Sequence, residues 1–423
     1  MSRSAKVISM IEMGNFDGLQ TEFKKALQED DADLIYSLAE ELYSLGFSEL
    51  AQRAYQFLLK KYPQEDELRT ALADIAISEG QSDEALNYLT AVKPSSSAYL
   101  KALLVAADLY QTQGLFEVSE QKLLDAYQIA PEEPIIIFAL AELYFDVKKY
   151  HQAIPLYLKL VKSGVTELSQ VKFAQRLGFA YAASGKLEQA LGYLEQVHED
   201  DIDDDTRFQL AFTALQLKHY DEAIKHFTKL KKSSADYTTV YPYLAEAYEQ
   251  QGLLQQALEV LQEGLRVDQY NIKLYQLASS VALKLQQPQS AEQYLRSALA
   301  LEPDNMTIVI QLSNLLVALR RYQENIDLLT GYLQADETDP QLYWNLGKSY
   351  AELEDDQHAL ENYQAAEQSF NSQPDFLREV SFFYRSVGKL HEAAKCITAY
   401  LKLVPSDLEM LDLQAELQDD LGY

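Results

Sequence analysis

The chain is 423 residues long and carries 65 acidic against 36 basic side chains, for a formal charge of −29. That balance excludes a nucleic-acid surface, which needs clustered Lys and Arg to meet phosphates, and it opposes docking on an anionic membrane. A single cysteine, Cys396, excludes an intrachain disulfide framework, and no apolar run approaches the ~18 residues expected of a membrane-spanning helix.

At the N-terminus, Met1–Met13 holds two basic residues and a short apolar run, Val7–Ile11, which Glu12 interrupts. No small-residue cleavage site follows, so a secretory leader is not expected and the location is read as cytoplasmic. The first 31 residues or so form a degenerate unit marked by Gly14, Phe16, Phe23 and Ala26. A small residue followed by an acid then recurs at Ala39-Glu40, Ala73-Asp74, Ala107-Asp108 and Ala141-Glu142, 34 residues apart each time. The small residue continues through Gly178, Ala211, Ala245, Ser279, Ser313, Gly347, Ser381 and Ala415. A second small position lies twelve residues further on in most units, as at Ala51, Ala85, Ala153, Ala190 and Ala359. Gly separates the two in many units (Gly46, Gly80, Gly114, Gly185, Gly252, Gly388), and Pro closes several (Pro63, Pro131, Pro303, Pro405). Each unit is therefore predicted as helix, Gly-containing turn, helix and stop, the small residues letting the paired helices approach closely.

A 34-residue unit with small eighth and twentieth positions, aromatic or Leu at positions 4, 7, 11 and 24, and Pro at position 32 resembles the tetratricopeptide repeat. Residues 340–373 carry the resemblance well, with Tyr343-Trp344-Asn345-Leu346-Gly347, then Tyr350, Ala359, Tyr363 and Ala366. Repeats start near 32, 66, 100, 134, 171, 204, 238, 272, 306, 340 and 374. The resemblance implies an all-α fold: a right-handed superhelical solenoid of about twelve helix-turn-helix repeats with a C-terminal capping helix. Residues 1–167 are expected to hold repeats one to five, with an acidic groove. Residues 168–407 hold repeats six to twelve, with an apolar and then mixed groove, and 408–423 form the cap, whose Asp412, Glu416, Asp419 and Asp420 suit a wet outer face. The phase slips once, by a 37-residue step from Pro134 to Val171, and a longer inter-repeat loop with a possible flexure is expected at 165–170. Tyr55, Tyr110, Tyr144, Tyr157, Tyr181, Tyr248, Tyr350, Tyr363 and Tyr384 fall at packing positions.

Catalytic constellations, phosphate-binding Gly loops and metal signatures are missing, so no enzyme, cofactor or metal is expected. His219 and His226 lie seven apart but lack a third ligand. The run Glu199–Asp205 lacks the Gly and terminal Glu of a calcium loop and is read as a solvated linker favouring the next helix N-terminus.

In the family, positions 2, 5, 9 and 12 of the first helix line the concave groove. Carried over, position 9 supplies Glu40, Asp74, Asp108 and Glu142 in repeats two to five, with Tyr36, Tyr43, Phe138 and Phe145 nearby. Repeats six and seven replace the acid by Phe179 and Phe212, beside Gln175 and Phe208, and later repeats are mixed, with Lys348, Arg378 and Arg385. Helices about 8–10 Å apart and a peptide advancing about 3.3 Å per residue would give a ligand one carboxylate roughly every third residue. The partner is thus expected to be a protein or peptide segment with Lys or Arg at that spacing and apolar residues for the Phe cluster. A plainly solvated helix face that keeps an acidic protein soluble accounts for the same acids. The Lys/Arg and Asn clamp of tetratricopeptide co-chaperones is not reproduced, since Lys172, Arg176, Lys273 and Asn314 do not form a matched set. The layout is similar to the long cytosolic tetratricopeptide proteins of Gram-positive bacteria, the YpiA type. It implies a non-enzymatic scaffold or adaptor; the alternative is a peptide-sensing regulator whose superhelix changes shape on ligand binding.

Overall fold

One backbone conformation is repeated at the middle of each unit. The fifteenth position takes a positive φ throughout, as Gly in six repeats (Gly46 at 82°, Gly80 at 72°) and as Lys148, Lys218, Gln286, Arg320 and Glu354 in five others. A left-handed residue lets the chain leave one helix and re-enter the next antiparallel to it, and glycine adopts it without a Cβ penalty.

The computed structural model describes residues 2–333 and 339–421, all-helical apart from one short hairpin, and it falls into two compact units, Met1–Leu217 and Lys218–Tyr423. In the first unit α1 (Arg3–Glu12) pairs with α2 (Leu19–Glu29), α3 (Ala32–Ser44) with α4 (Ser48–Lys61), and α5 (Asp66–Ser78) with α6 (Ser82–Thr90). The pairs continue with α7 (Tyr99–Thr112) and α8 (Phe116–Ile129), then α9 (Pro134–Asp146) and α10 (Tyr150–Lys162), then α11 (Phe173–Ala183) and α12 (Leu187–Leu194). The first unit closes with α13 (Asp204–Gln216).

The second unit opens with α14 (Tyr220–Ser233), followed by α15 (Val240–Gln250) on α16 (Leu254–Val267) and α17 (Ile272–Lys284) on α18 (Pro288–Leu301). Then come α19 (Met306–Ala318) with α20 (Tyr322–Thr330), α21 (Pro340–Glu352) with α22 (Asp356–Phe370), and α23 (Pro374–Ser386) with α24 (Leu390–Leu403). The final helix is α25 (Leu408–Leu421). The side chain of Asp420 and residues 422–423 lie outside the described set. Glu416 is exposed and pairs with Arg385 at 2.7 Å, while Met410, Leu413 and Leu417 bury the inner side of α25.

Helix starts follow the local chemistry. Asp31, Asp203, Asn271 and Asn305 each accept a hydrogen bond from the backbone N–H three residues on, and Pro134, Pro288, Pro340 and Pro374 occupy the first helical turn. Close pairing follows from the small residues: Ala39, Ala51, Ala141 and Ala153 are fully buried. At Gly347 an added Cβ would sit 2.8 Å from the Tyr363 ring, so only glycine admits that ring. Asn325 replaces the usual small residue at position 20 and is fully buried, its Nδ2 donating to Ser349 Oγ at 2.8 Å. The core is a string of local clusters that each span two or three repeats, as expected of a chain in which each repeat packs on its neighbours.

The residues expected to form a longer loop fold instead as an antiparallel hairpin, β1 (Glu167–Leu168) and β2 (Val171–Lys172). Ser169 and Gln170 both take positive φ, 50° and 66°, which makes the two-residue turn whose twist matches the strands. Leu168 and Val171 pack on the cluster beneath, so the inserted residues are tied down. The hairpin, and with it the 167/168 division by groove character, lies inside the first unit. No described helix is long and apolar enough to cross a membrane.

Candidate partner-binding face

Successive first helices touch one another, α1 on α3 and α5 on α7, and in the second unit α15 on α17 and α19 on α21. At three junctions the ninth position of one repeat meets the sixth position of the next, an inter-repeat slot.

Three slots are filled by complementary side chains. Between repeats five and six, Arg176 forks onto Glu142, Nε to Oε1 at 3.0 Å and Nη2 to Oε2 at 2.7 Å. Its guanidinium also lies 4.5 Å from the centre of the Phe145 ring, and the Tyr157 hydroxyl donates to the same carboxylate. Burial, and then the Glu142 carboxylate, push the Tyr157 phenol far above its ordinary range. Between repeats ten and eleven the slot is neutral, Asn345 Nδ2 donating to Asn314 Oδ1 at 2.7 Å. Between repeats eleven and twelve the polarity is reversed, with Lys348 at position 9 donating to Glu379 at 2.6 Å. Glu379 also accepts from Tyr363 Oη and from Trp344 Nε1, both at 2.9 Å.

For the first three acids of the series the matching position is apolar instead. By position in the repeat, the residues that stand where Arg176, Asn345 and Glu379 stand are Ala71 for Glu40, Val105 for Asp74 and Ala139 for Asp108. No ion pair to any of the three occurs among the described residues. Burial raises the Asp74 carboxyl above its ordinary value, Asp108 adds to the rise, and Lys101 partly opposes it. Burial raises Asp108 as well. Their anionic forms are thus under-compensated, the condition an incoming cation relieves. Glu246 in the second unit, followed by Leu277 at the corresponding position of the next repeat, is a further acid of this kind.

The other expected face residues divide. Tyr36 and Tyr43 are half-buried on the cluster of repeats one to three, and Tyr36 meets Tyr55 edge-on at 5.6 Å. Beside them a cleft of about 470 Å³ is lined by Asp33, Tyr36, Tyr62, Glu65 and Glu67. Phe208 and Phe212 stack at 5.9 Å on one side of α13, half-buried, and Phe179 is half-buried on α11. Four residues are corrected. Phe138 is only 8 % exposed and packs on Phe173 at 5.7 Å, because its position on α9 faces the core cluster. Glu142 is neutralised by Arg176, and the Phe145 ring carries that same guanidinium and the edge of Tyr150. Gln175 is used internally, its Nε2 donating to Thr206 Oγ1 at 3.2 Å and to the Asp201 carbonyl at 3.3 Å.

Two residues of the face escape a reading by position alone, Ala71 and Tyr55. Their signal is comparative: a small sixth residue, and Tyr at position 24 only in repeats two, five and eleven. The acidic run is accounted for locally, Glu199 pairing with Arg207 at 2.8 Å, Asp201 with Lys172, and Asp203 capping α13. With Lys172 and Arg176 so engaged, no co-chaperone type of clamp is assembled there. Among the described residues no group of three or more His, Cys, Asp or Glu is placed to hold a metal ion.

A family model for YpiA-like tetratricopeptide repeats matches residues 111–165, and one for the C-terminal repeats of the same proteins matches 340–407. General tetratricopeptide models match 208–271 and 282–353. The chain is 34% identical over 421 residues to the TPR repeat-containing protein YpiA of Bacillus subtilis (strain 168), covering 99% of this chain and 98% of that protein. Among solved structures it is similar to a chain of the APC/C Cut9–Hcn1 hetero-tetramer, at 14% identity and TM-score 0.39, covering 97% of this chain and 94% of that one. A chain of Naa15/Naa10 bound to HypK-THB matches at 16% identity and TM-score 0.40, covering 92% and 66% respectively.

Proposed function

The chain belongs to the YpiA-like tetratricopeptide repeat family, and from that premise we propose that it is a non-enzymatic scaffold that binds a basic and apolar segment of a partner protein. The segment lies across α3, α5 and α7, placing cations at Glu40, Asp74 and Asp108, and its apolar side chains reach Phe179, Phe208 and Phe212. One observation carries this reading: three consecutive repeats hold an acid at position 9 and are followed at position 6 by Ala71, Val105 and Ala139, where other junctions supply the complementary group from within. A partner cation at each would restore the pairing that the fold itself provides elsewhere.

The test uses a fluorescein-labelled extended peptide with lysine at every third residue and leucine and serine between. Exposed charge pairs contribute roughly 0.2–1 kcal/mol each, so the triple variant Glu40→Gln, Asp74→Asn, Asp108→Asn should bind about tenfold more weakly and lose most of the salt dependence. Equal binding by the triple variant and the native chain would reduce the three acids to a solvated face.

A further inference from the structure

The three acidic slots are not alike, and repeats five and eleven explain why. Tyr at position 24 occurs three times, as Tyr55, Tyr157 and Tyr363, against Leu, Phe or Ile in the other units from repeat two onward. In two of the three, the phenol serves an inter-repeat ion pair: Tyr157 donates to Glu142, and Tyr363 to Glu379. The third, Tyr55, is 3 % exposed, meets Tyr36 edge-on at 5.6 Å, and has Tyr36, Glu40, Asp74 and Tyr43 close enough to act on its phenol. Position by position, Glu40, Tyr43 and Tyr55 repeat Glu142, Phe145 and Tyr157: carboxylate, aromatic ring, buried phenol. Two differences stand out: the sixth residue of the following repeat is Arg176 in one case and Ala71 in the other, and Tyr36, whose phenol acts on Glu40, stands where the Glu142 site has Phe138.

We infer that the slot formed by Glu40, Tyr43 and Tyr55 receives one arginine side chain of the partner segment, Ala71 leaving open the place that Arg176 fills three repeats later. The inference rests on the reading that a basic segment lies across these repeats. Arginine is favoured over lysine because the planar guanidinium forks onto a carboxylate while its face lies on a ring, as Arg176 does on Glu142 and Phe145. The slot of opposite polarity obeys the same rule. There position 12 is Ala351, no ring is offered, and the cation is Lys348. The Asp74 and Asp108 slots have Ile77 and Gln111 at that position, so they take either cation alike.

The experiment starts from an all-lysine peptide, lysine at every third residue, with three further peptides each carrying one Lys→Arg change. One of the three positions should gain about tenfold in affinity. That gain should persist in Asp74→Asn/Asp108→Asn and vanish in Glu40→Gln, in Tyr43→Leu, and in Ala71→Arg, where the chain fills its own slot. Thermal melting of Ala71→Arg checks that it stays folded, and Tyr43→Leu tests the slot without added bulk. Salt-sensitive binding of the lysine parent with no preferred arginine position, or a preference that survives both Ala71→Arg and Tyr43→Leu, overturns the arginine slot and leaves the scaffold reading standing. Failure of the lysine parent to bind at low salt overturns both.

Discussion

The junctions between repeats two and five and the junctions that follow repeats five, ten and eleven use one piece of geometry in two ways. At Glu142/Arg176 and Lys348/Glu379 the slot is a clasp, filled from within and backed by a phenol, with an aromatic face under the cation in the Arg176 case. At Glu40, Asp74 and Asp108 the carboxylate remains and the clasp's other half is trimmed to Ala71, Val105 and Ala139. A solenoid can vary one junction without disturbing the rest, because each repeat answers only to its neighbours. Junctions that are not needed for binding can therefore be closed, and those that bind can be left with half a clasp.

The largest effect should come from breaking a clasp through its packing. Gly347→Ala puts a methyl group 2.8 Å from the Tyr363 ring, which also packs at 5.0 Å on Phe383 and cannot swing aside freely. We expect a loss of roughly 2–3 kcal/mol, read by hydrogen exchange as loosened α21–α23, with Lys348 and Glu379 drifting apart. Next is Arg176→Ala. It strands a half-buried Glu142 and uncovers Phe145, and should destabilise the junction by about 2 kcal/mol, seen as faster exchange in α9 and α11. Its mirror, Ala71→Arg, should cause no such loss. If Arg176→Ala is as harmless as a surface change, clasp and half-clasp are not different in kind. A third effect is a gain: Gln286→Gly or Glu354→Gly relieves a non-glycine residue at φ 59° or 60° and should raise stability by up to ~1 kcal/mol, measured by thermal melting.

Those left-handed turns also show how far the fold was legible in the sequence. Six glycines announced the turn in their own repeats, while Lys148, Lys218, Gln286, Arg320 and Glu354 hold the same conformation where residue type says nothing. The small residues from Ala39 to Ser381 are buried as read, because their role is steric and local, whereas Ala415 is exposed on α25. The hairpin at 167–172 was not, since Ser169-Gln170 lacks the Asn-Gly or Asp-Gly signature of a two-residue turn. The face was legible only in outline. Residue type at position 9 gives the sign of a charge, but whether that charge is answered depends on a residue in the next repeat, as with Glu40 and Ala71 or Glu142 and Arg176. Phe138 shows the same limit, a groove position by count that the α9 packing turns inward onto Phe173.

The smallest effect decides between the two meanings of the acids. Asp74 ionises reluctantly in the folded chain because it is part-buried and close to Asp108. A carboxyl whose folded pKa lies above its unfolded value weakens the fold when ionised, and the penalty is fully present at neutral pH. It disappears as pH falls below the unfolded value, where the group is protonated in both states. Asp74→Asn should therefore raise the melting temperature slightly at pH 7, and the gain should vanish on acidification through the carboxylate range. Asp74→Asn should also weaken the lysine peptide at pH 7. An acid retained for solubility alone would give the gain in stability with no loss in binding; one kept as half a clasp gives opposite signs in the two measurements, and that opposition separates a binding face from a wet one.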